Sequence, residues 1–186
     1  MNDGTGRVPR LIVGISGSRA SWWALAWAVG EARRRGARLL LVNVFRSAGP
    51  PSLADYAAGY VGPSFDPYVD HVACGNALIQ AAIEQAVGSM PGDVPVEQEV
   101  VCGRIAATLA SLAWGGDVLV LGCRYRGPLR RHAPGSVARA CARLADCPVV
   151  MVPEPSRGEL AESLPADPGH GHWFRRMPHR GARAAS

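Results

Sequence analysis

Residues 118–153 constrain the fold of this chain more than any other segment. The apolar run Val-Leu-Val-Leu at 118–121 is followed by a loop rich in glycine and arginine, and a second apolar run occupies 149–152. Continuous apolar runs are typical of strands that are covered on both faces of a parallel sheet. Between the two runs, Gly135 and Ser136 open a predicted helix. Strand, loop, helix and strand form a crossover unit, which places the loop and the helix N-terminus at the carboxyl edge of the sheet.

The start of this helix is a predicted anion site. Free backbone N–H groups at a helix N-terminus attract anions, and the hydroxyl of Ser136 adds a donor at the same point. The preceding loop carries guanidinium groups suited to phosphate, at Arg124, Arg126, Arg130 and Arg131. The segment therefore predicts a nucleotide-type phosphate site. These residues leave open the alternative that the arginines only make an exposed loop more soluble.

The rest of the domain alternates predicted strands with predicted helices. Its hydrophobic patterns predict strands at 11–15, 39–45, 94–101, 118–121 and 149–152, and helices at about 18–35, 71–89, 105–114 and 136–145. The third strand alternates apolar and polar residues around Pro95, which favours the edge of a sheet. The predicted fold class is α/β, a doubly wound five-stranded parallel sheet in the order 3-2-1-4-5 with helices on both faces.

The residues around the loop also resemble a known signature. Gly122, the nine residues 126–134 and the pair Gly135-Ser136 are similar to the Gly-x-x-Gly, nine-residue, Gly-Ser pattern that binds ATP in the universal stress protein family. The Cys-Pro-Val triplet before the last strand also resembles the family's ending. The resemblance covers about residues 10–153. It implies the same strand order, with ATP bound at the switch point between the first and fourth strands.

The signature is degenerate at two positions. Tyr125 stands where the pattern has its second glycine, and its ring opposes the close backbone approach to phosphate that glycine permits. Ser16 stands where nucleotide-binding members have an aspartate, so a hydroxyl replaces the carboxylate expected at the nucleoside. Asn43-Val44 occupies the place where the family often has His-Val. The site residues that the resemblance implies are Gly14, Ile15, Ser16, Val44, Leu121, Gly122, Arg124, Tyr125, Gly135, Ser136 and Val137.

The composition excludes several classes of site. All 20 basic residues are arginines, so the chain has no Walker A, Schiff-base or kinase-type phosphate lysine. These arginines do not form a basic stripe with aromatic residues between them, so we expect no nucleic-acid binding. The five cysteines lack zinc-ligand spacing, so we expect no metal beyond the Mg²⁺ that accompanies a nucleotide. The cysteines are interpreted as mostly small core residues; Cys123 is the one candidate for a reactive thiol, with a core role as the favoured alternative.

The chain divides into three predicted parts. Residues 10–153 form the domain, 1–9 form a flexible leader, and 154–186, rich in Pro, Gly, His and Arg, form a disordered tail. Within the domain, residues 46–70 are interpreted as a long loop that could act as a lid, with one short helical turn. The polar start of the chain resembles neither a signal peptide nor a membrane span, so we expect a cytoplasmic protein without membrane contact.

Three classes of function stay open on the sequence. The resemblance implies a stress-response regulator that is not an enzyme and binds ATP or another adenine nucleotide weakly. The alternative is a degenerate member that acts as a dimeric interaction scaffold without nucleotide. An ATP hydrolase is the third class, and we predict no catalytic residue for it, since Asp117 precedes the fourth strand at the opposite edge of the sheet. The apolar fifth strand is last and leaves an open edge, so we expect a homodimer through it, which the resemblance also implies.

Overall fold

The computed structural model describes residues 8–46, 67–123 and 135–155. Within these ranges, five strands form one parallel sheet in the order β3-β2-β1-β4-β5, and this confirms the predicted order 3-2-1-4-5. The elements in chain order are β1 (Arg10–Gly14), α1 (Arg19–Arg35), β2 (Arg38–Phe45), α2 (Pro67–Val87), β3 (Val96–Cys102), α3 (Ile105–Leu112), β4 (Val118–Cys123), α4 (Ser136–Leu144) and β5 (Val149–Pro153).

The sheet is covered on both faces, which confirms the doubly wound α/β class. Successive side chains of a strand point to opposite faces. In the central strand β1, Leu11 and Val13 therefore enter the core formed with α1 and α2, whereas Ile12 enters the core formed with α3 and α4. All three are at most 1% exposed. Burial on both faces is the reason why the central strands read as continuous apolar runs.

The two edge strands differ in character. In β3 the side chains of Glu97, Gln98 and Glu99 are exposed, and the strand is hydrogen-bonded only to β2 within the described sheet. It begins two residues later than the pattern at 94–101 predicts. At the other edge, β5 is apolar, yet none of its residues is fully buried and Met151 is 39% exposed. Both edge positions match the predicted topology.

Two helix boundaries differ from the expected ones for local reasons. Helix α2 begins at Pro67 rather than near residue 71, and proline is favoured in a first turn because an N–H there would have no acceptor within the helix. Helix α3 ends at Leu112 rather than 114. The N–H of Trp114 instead donates to Asp117 Oδ2 at 3.3 Å, which closes the turn before β4.

The amino edge of the sheet is held by a partly buried ion pair. The Arg10 guanidinium donates to Asp117 Oδ2 at 2.7 Å and to the carbonyl of Leu112 at 2.9 Å. The Asp117 side chain is 4% exposed. These contacts join the start of β1 to the turn that precedes β4. Asp117 therefore lies at the edge opposite to the helix N-termini, as the sequence predicts.

Several predictions lie outside the described residues. They concern the leader over 1–7, most of the long loop over 47–66, and the tail over 156–186. Among the helices that the structure describes, none is long and apolar enough to cross a membrane.

Candidate functional site

A cavity of about 670 Å³ opens at the carboxyl edge of the sheet. It lies at the switch point where β1 is flanked by β2 and β4, the place where doubly wound folds bind ligands. The predicted site residues that the structure describes all line this cavity: Gly14, Ile15, Ser16, Val44, Leu121, Gly122, Gly135, Ser136 and Val137. Arg124 and Tyr125, the other two, lie outside the described residues. The fold thus brings together residues from both ends of the sequence, and their role in binding stays a prediction.

Two glycines of the site lie in close packing contacts. A Cβ on Gly122 would lie 2.1 Å from the carbonyl oxygen of Ala20, at the start of α1. A Cβ on Gly14 would lie 2.7 Å from Leu121 Cδ2. Both distances are shorter than van der Waals contact. The Leu121 side chain can move away from a Cβ on Gly14, whereas the Ala20 backbone cannot, so the close approach of α1 to β4 depends on the missing side chain of Gly122. Gly122, which the signature assigns to phosphate, therefore also allows α1 to pack closely against β4.

A serine cluster connects β1 to α1. Ser18 is the N-cap residue of α1 and its Oγ accepts from the N–H of Ser21 at 3.4 Å. The Ser21 hydroxyl donates to the Ser18 carbonyl at 2.7 Å, and the exposed Ser16 hydroxyl shares a hydrogen bond of 2.9 Å with Ser18 Oγ. Gly17 has φ of 71°, in the left-handed region that a glycine adopts without strain. The turn is therefore held by its own side chains, and the Ser16 hydroxyl lies at the cavity wall.

Helix α4 begins at the opposite wall of the cavity. Its N-cap residue, Gly135, makes no side-chain hydrogen bond to the first turn, and the side chain of Ser136 is exposed. An N-terminus without a side-chain cap has backbone N–H groups that can donate to an anion. The donors that the prediction assigns to phosphate therefore lie at the cavity wall, and their role in binding stays a prediction.

Sequence reasoning assigned no residue of α2 to the site, yet this helix forms a full wall. His71, Cys74, Gly75 and Leu78 line the cavity. The His71 ring packs edge-on against Phe45, with 5.0 Å between ring centroids. The sequence contained an indication of this packing, since a glycine inside a helical pattern often marks a close approach of the helix to a neighbouring segment. A Cβ on Gly75 would lie 2.5 Å from Val100 Cγ1, which confirms such an approach here.

Asn43, in β2, is a further residue that the prediction missed as a site residue. It is 7% exposed, and its Nδ2 donates to the carbonyl oxygen of Ile15 at 2.8 Å. The N–H of Ile15 in turn donates to the Val42 carbonyl at 2.8 Å. The Asn43 side chain thus extends the pairing of β1 and β2 one step beyond the end of β1. The signal available in the sequence was a polar residue near the end of an apolar strand.

The cavity wall carries little formal charge. None of its described residues is an aspartate, glutamate, lysine or arginine. Among the described residues, no group of three or more His, Cys, Asp or Glu side chains could hold a metal ion. A Mg²⁺ ion at this wall would have to be carried by nucleotide phosphates and water, which are ligands that this ion commonly retains.

The cysteines require a correction. Cys123 is 3% exposed, and burial raises the pKa of its thiol, so the hypothesis of a reactive thiol at this position is wrong and the alternative of a core residue holds. The interpretation of the cysteines as mostly core residues is also wrong in part. Cys74 and Cys102 are exposed, and Cys74 lines the cavity.

Comparisons with known proteins agree with this fold. The sequence model of the universal stress protein family matches residues 8–153. The universal stress protein Rv3134c of Mycobacterium tuberculosis is 34% identical over 154 residues, which cover 81% of this chain and 50% of the relative. Among solved structures, the hypothetical protein MJ0577 has a TM-score of 0.56 at 14% identity, covering 80% of this chain and 97% of that one. Universal stress protein UspA from Lactobacillus plantarum has a TM-score of 0.51 at 18% identity, covering 78% and 98%.

The fold and the position of the cavity define a doubly wound α/β protein with a crevice at its switch point. The chain belongs to the universal stress protein family, since the family match spans most of its length. It spans about half the length of the curated relatives it matches.

Proposed function

We propose that this chain is a regulatory protein of the universal stress type that binds an adenine nucleotide, ATP in the first instance, in the cavity between β1 and β4. The observation that carries the proposal is the position of this cavity at the carboxyl edge of the switch point, with the N-terminus of α4 at one wall. Its volume of about 670 Å³ is within the range of about 300–1,000 Å³ that small-molecule sites commonly have.

The walls divide the proposed site into two chemical regions. Apolar side chains of β2, β4 and α3, among them Val44, Leu121 and Ile105, offer a surface for a base and a ribose. The uncapped N-terminus of α4 and the Ser136 hydroxyl offer donors for phosphate. Arg124 and its neighbours follow β4 directly in the sequence, so the guanidinium groups of that loop are the proposed partners of the outer phosphates.

We expect binding to be weak. Ser16 supplies a hydroxyl where nucleotide-binding members have a carboxylate, and the described wall has no fixed cation. The phosphates are then held by helix N–H groups and by a loop in which Tyr125 replaces a glycine. The proposal includes no catalysis. Phosphate release, measured alongside binding, would show that the chain also hydrolyses ATP.

A thermal-melting titration tests the proposed function. ATP at about 100 times its Kd adds about 2.7 kcal/mol to the free energy of unfolding, which raises the Tm of a chain of this size by about 5–10 °C. Ser136→Ala should weaken ATP about tenfold, because one hydrogen bond to a charged group is lost. Ser111→Ala is the matched control, since this exposed serine donates only within α3 at 2.9 Å to Thr108. The absence of any shift with ATP, ADP or AMP at millimolar concentration would contradict the proposal.

A second candidate function, a dimeric scaffold, is favoured by the β5 edge. This strand consists of Val-Val-Met-Val-Pro, is paired only with β4 in the described sheet, and has no fully buried residue. Soluble proteins usually cover an apolar edge strand, and a second copy of the same strand would do so. We therefore propose a homodimer through β5. Sedimentation at micromolar concentration should give a dimer that Met151→Arg converts to a monomer, with Met90→Arg as an exposed control; a monomeric parent would contradict this.

A further inference from the structure

Helix α4 presents a basic side to solvent. Arg139 and Arg143 are four residues apart, so they lie on one side of the helix, and both side chains are exposed. The buried residues Ala138 and Cys141 lie on the opposite side, against the sheet and α3. Within the described ranges neither arginine forms an ion pair, whereas the arginines within 33–38 all do. Like charges at this spacing repel each other, and an acidic partner would relieve that repulsion.

An exposed leucine adjoins the two arginines. Leu144 directly follows Arg143 at the end of α4 and is 55% exposed. Arg139, Arg143 and Leu144 are here named the α4 face. This surface offers two positive charges and an apolar side chain. A complementary partner therefore carries two acidic side chains and an apolar one within about two helical turns.

The residues that follow β5 have this composition. Residues 156–164 read Ser-Arg-Gly-Glu-Leu-Ala-Glu-Ser-Leu and lie outside the described ranges. Glu159 and Glu162 are three residues apart. Leu160 and Leu164 are four apart, and residues at either spacing share one side of a helix. The sequence of this segment thus matches the α4 face in charge and in apolar content.

The segment begins near the α4 face. The N–H of Glu154 donates to the carbonyl of Cys123 at 2.8 Å, which fixes the chain at the carboxyl edge of the sheet, where α4 begins. From Pro155, the four residues to Glu159 span at most about 14 Å when extended. Arg139 lies three residues, or about 4.5 Å, along the helix from its first residue. The tether is therefore short, and it holds the segment at a high effective concentration beside α4.

We propose that residues 156–164 bind the α4 face of the same molecule. The segment then runs along α4 towards the amino edge, its two glutamates pair with Arg139 and Arg143, and a leucine contacts Leu144. Exposed ion pairs are individually weak, so the interaction depends on both pairs, on the leucine contact and on the short tether. A segment that cannot build a core of its own becomes ordered only on binding. This docking requires no nucleotide and does not rest on the proposed function.

Amide hydrogen exchange on the full chain, without nucleotide, tests the docking. Residues 156–164 should exchange at least about tenfold more slowly than an unstructured peptide of the same sequence. Residues 168–186 contain arginines but no acidic residue, and they serve as the internal reference. Salt at 1 M should remove most of the protection, because exposed charges are screened. Exchange of 156–164 at the peptide rate, or protection that salt does not change, would overturn the proposal. Protection that appears only as the protein concentration rises would overturn it in favour of docking on a second copy.

Charge reversal assigns the contact to the α4 face. Arg139→Glu combined with Arg143→Glu should remove the protection. Adding Glu159→Arg and Glu162→Arg should restore it, because the pairs form again with opposite sign. Arg104→Glu is the control, since Arg104 is exposed at the start of α3 and should leave the protection at the parent value. A folded reversal variant that keeps the protection would overturn the assignment. If that variant does not melt cooperatively, the salt dependence in the parent protein decides the proposal by itself.

Discussion

Gly122 lies so close to the backbone of Ala20 that a Cβ on the glycine would be 2.1 Å from the Ala20 carbonyl oxygen. The end of β4 and the start of α1 therefore meet backbone to backbone under the floor of the cavity. The same Cβ would also lie 2.7 Å from the N–H nitrogen of Ser21. Gly122, the first glycine of the degenerate signature, therefore has a packing role that does not depend on a ligand.

Gly122→Ala should destabilise the domain by about 3 kcal/mol. The added carbon meets backbone atoms, which cannot move aside as a flexible side chain can, so α1 must shift from the sheet. Urea unfolding without nucleotide measures the change in the free energy of unfolding. Gly135→Ala is the control, because a Cβ there meets nothing within 4 Å. Equal stability of the two variants would contradict this role for Gly122.

The ion pair between Arg10 and Asp117 should give the domain a pH-dependent stability. Burial of Asp117 opposes its ionisation, but hydrogen bonds from Arg10 and from the N–H of Trp114 outweigh this and hold the pKa of its carboxyl below the ordinary 3.8. A carboxyl whose pKa is lower in the folded than in the unfolded state contributes stability above the unfolded value. That stability is lost as the pH falls below 3.8 and through the lower folded pKa.

Asp117→Asn tests this contribution. At pH 7 the variant should unfold with about 3 kcal/mol less free energy than the parent, because Arg10 is left without its buried partner. The difference should shrink as the pH falls below 3.8, where the parent carboxyl also loses its charge. Asp93→Asn is the control, since the Arg33–Asp93 pair is exposed and its loss should matter much less. A constant difference between parent and Asp117→Asn over this pH range would contradict the assignment.

Ser16→Asp and Tyr125→Gly should tighten ATP binding together. The glycine restores close backbone approach to the phosphates, and the aspartate places a carboxylate beside the nucleoside, at a residue whose hydroxyl lies at the cavity wall. Because both changes act on one ligand, their effects should reinforce each other rather than simply add. Calorimetry on the parent, the two single variants and the double variant measures this. Tight binding by the parent that Tyr125→Gly abolishes would show instead that the tyrosine ring stacks on the ligand.

Cys74 should report occupation of the cavity. Its side chain is exposed and lines the cavity, whereas Cys102 is exposed but lies outside it. ATP at about ten times its Kd should slow alkylation of Cys74 about tenfold and leave Cys102 unaffected, because about nine tenths of the sites are then covered. Mass spectrometry after iodoacetamide pulses gives both rates from one sample. Equal protection of the two thiols would indicate a general change in the protein, and no protection of Cys74 would place the nucleotide elsewhere.

The sequence by itself determined the class of fold, the order of the strands and the position of the crevice. Apolar runs at 118–121 and 149–152 are typical of strands buried in a parallel sheet, the polar third strand favours an edge, and the structure confirms both positions. These properties follow from local pattern and from the handedness of crossover connections, so they need no knowledge of distant contacts.

Only the tertiary structure decided which side chains meet at the cavity. Asn43 lies far from Ile15 and Gly75 along the chain, and its hydrogen bond to Ile15 and its close approach to Gly75 exist because β1, β2 and α2 converge at one edge. The burial of Cys123 and the contact between Gly122 and Ala20 depend in the same way on how α1 packs across β4. Such facts are set by distances of a few tenths of an ångström between segments remote in sequence, and a pattern of residue types carries no information at that scale.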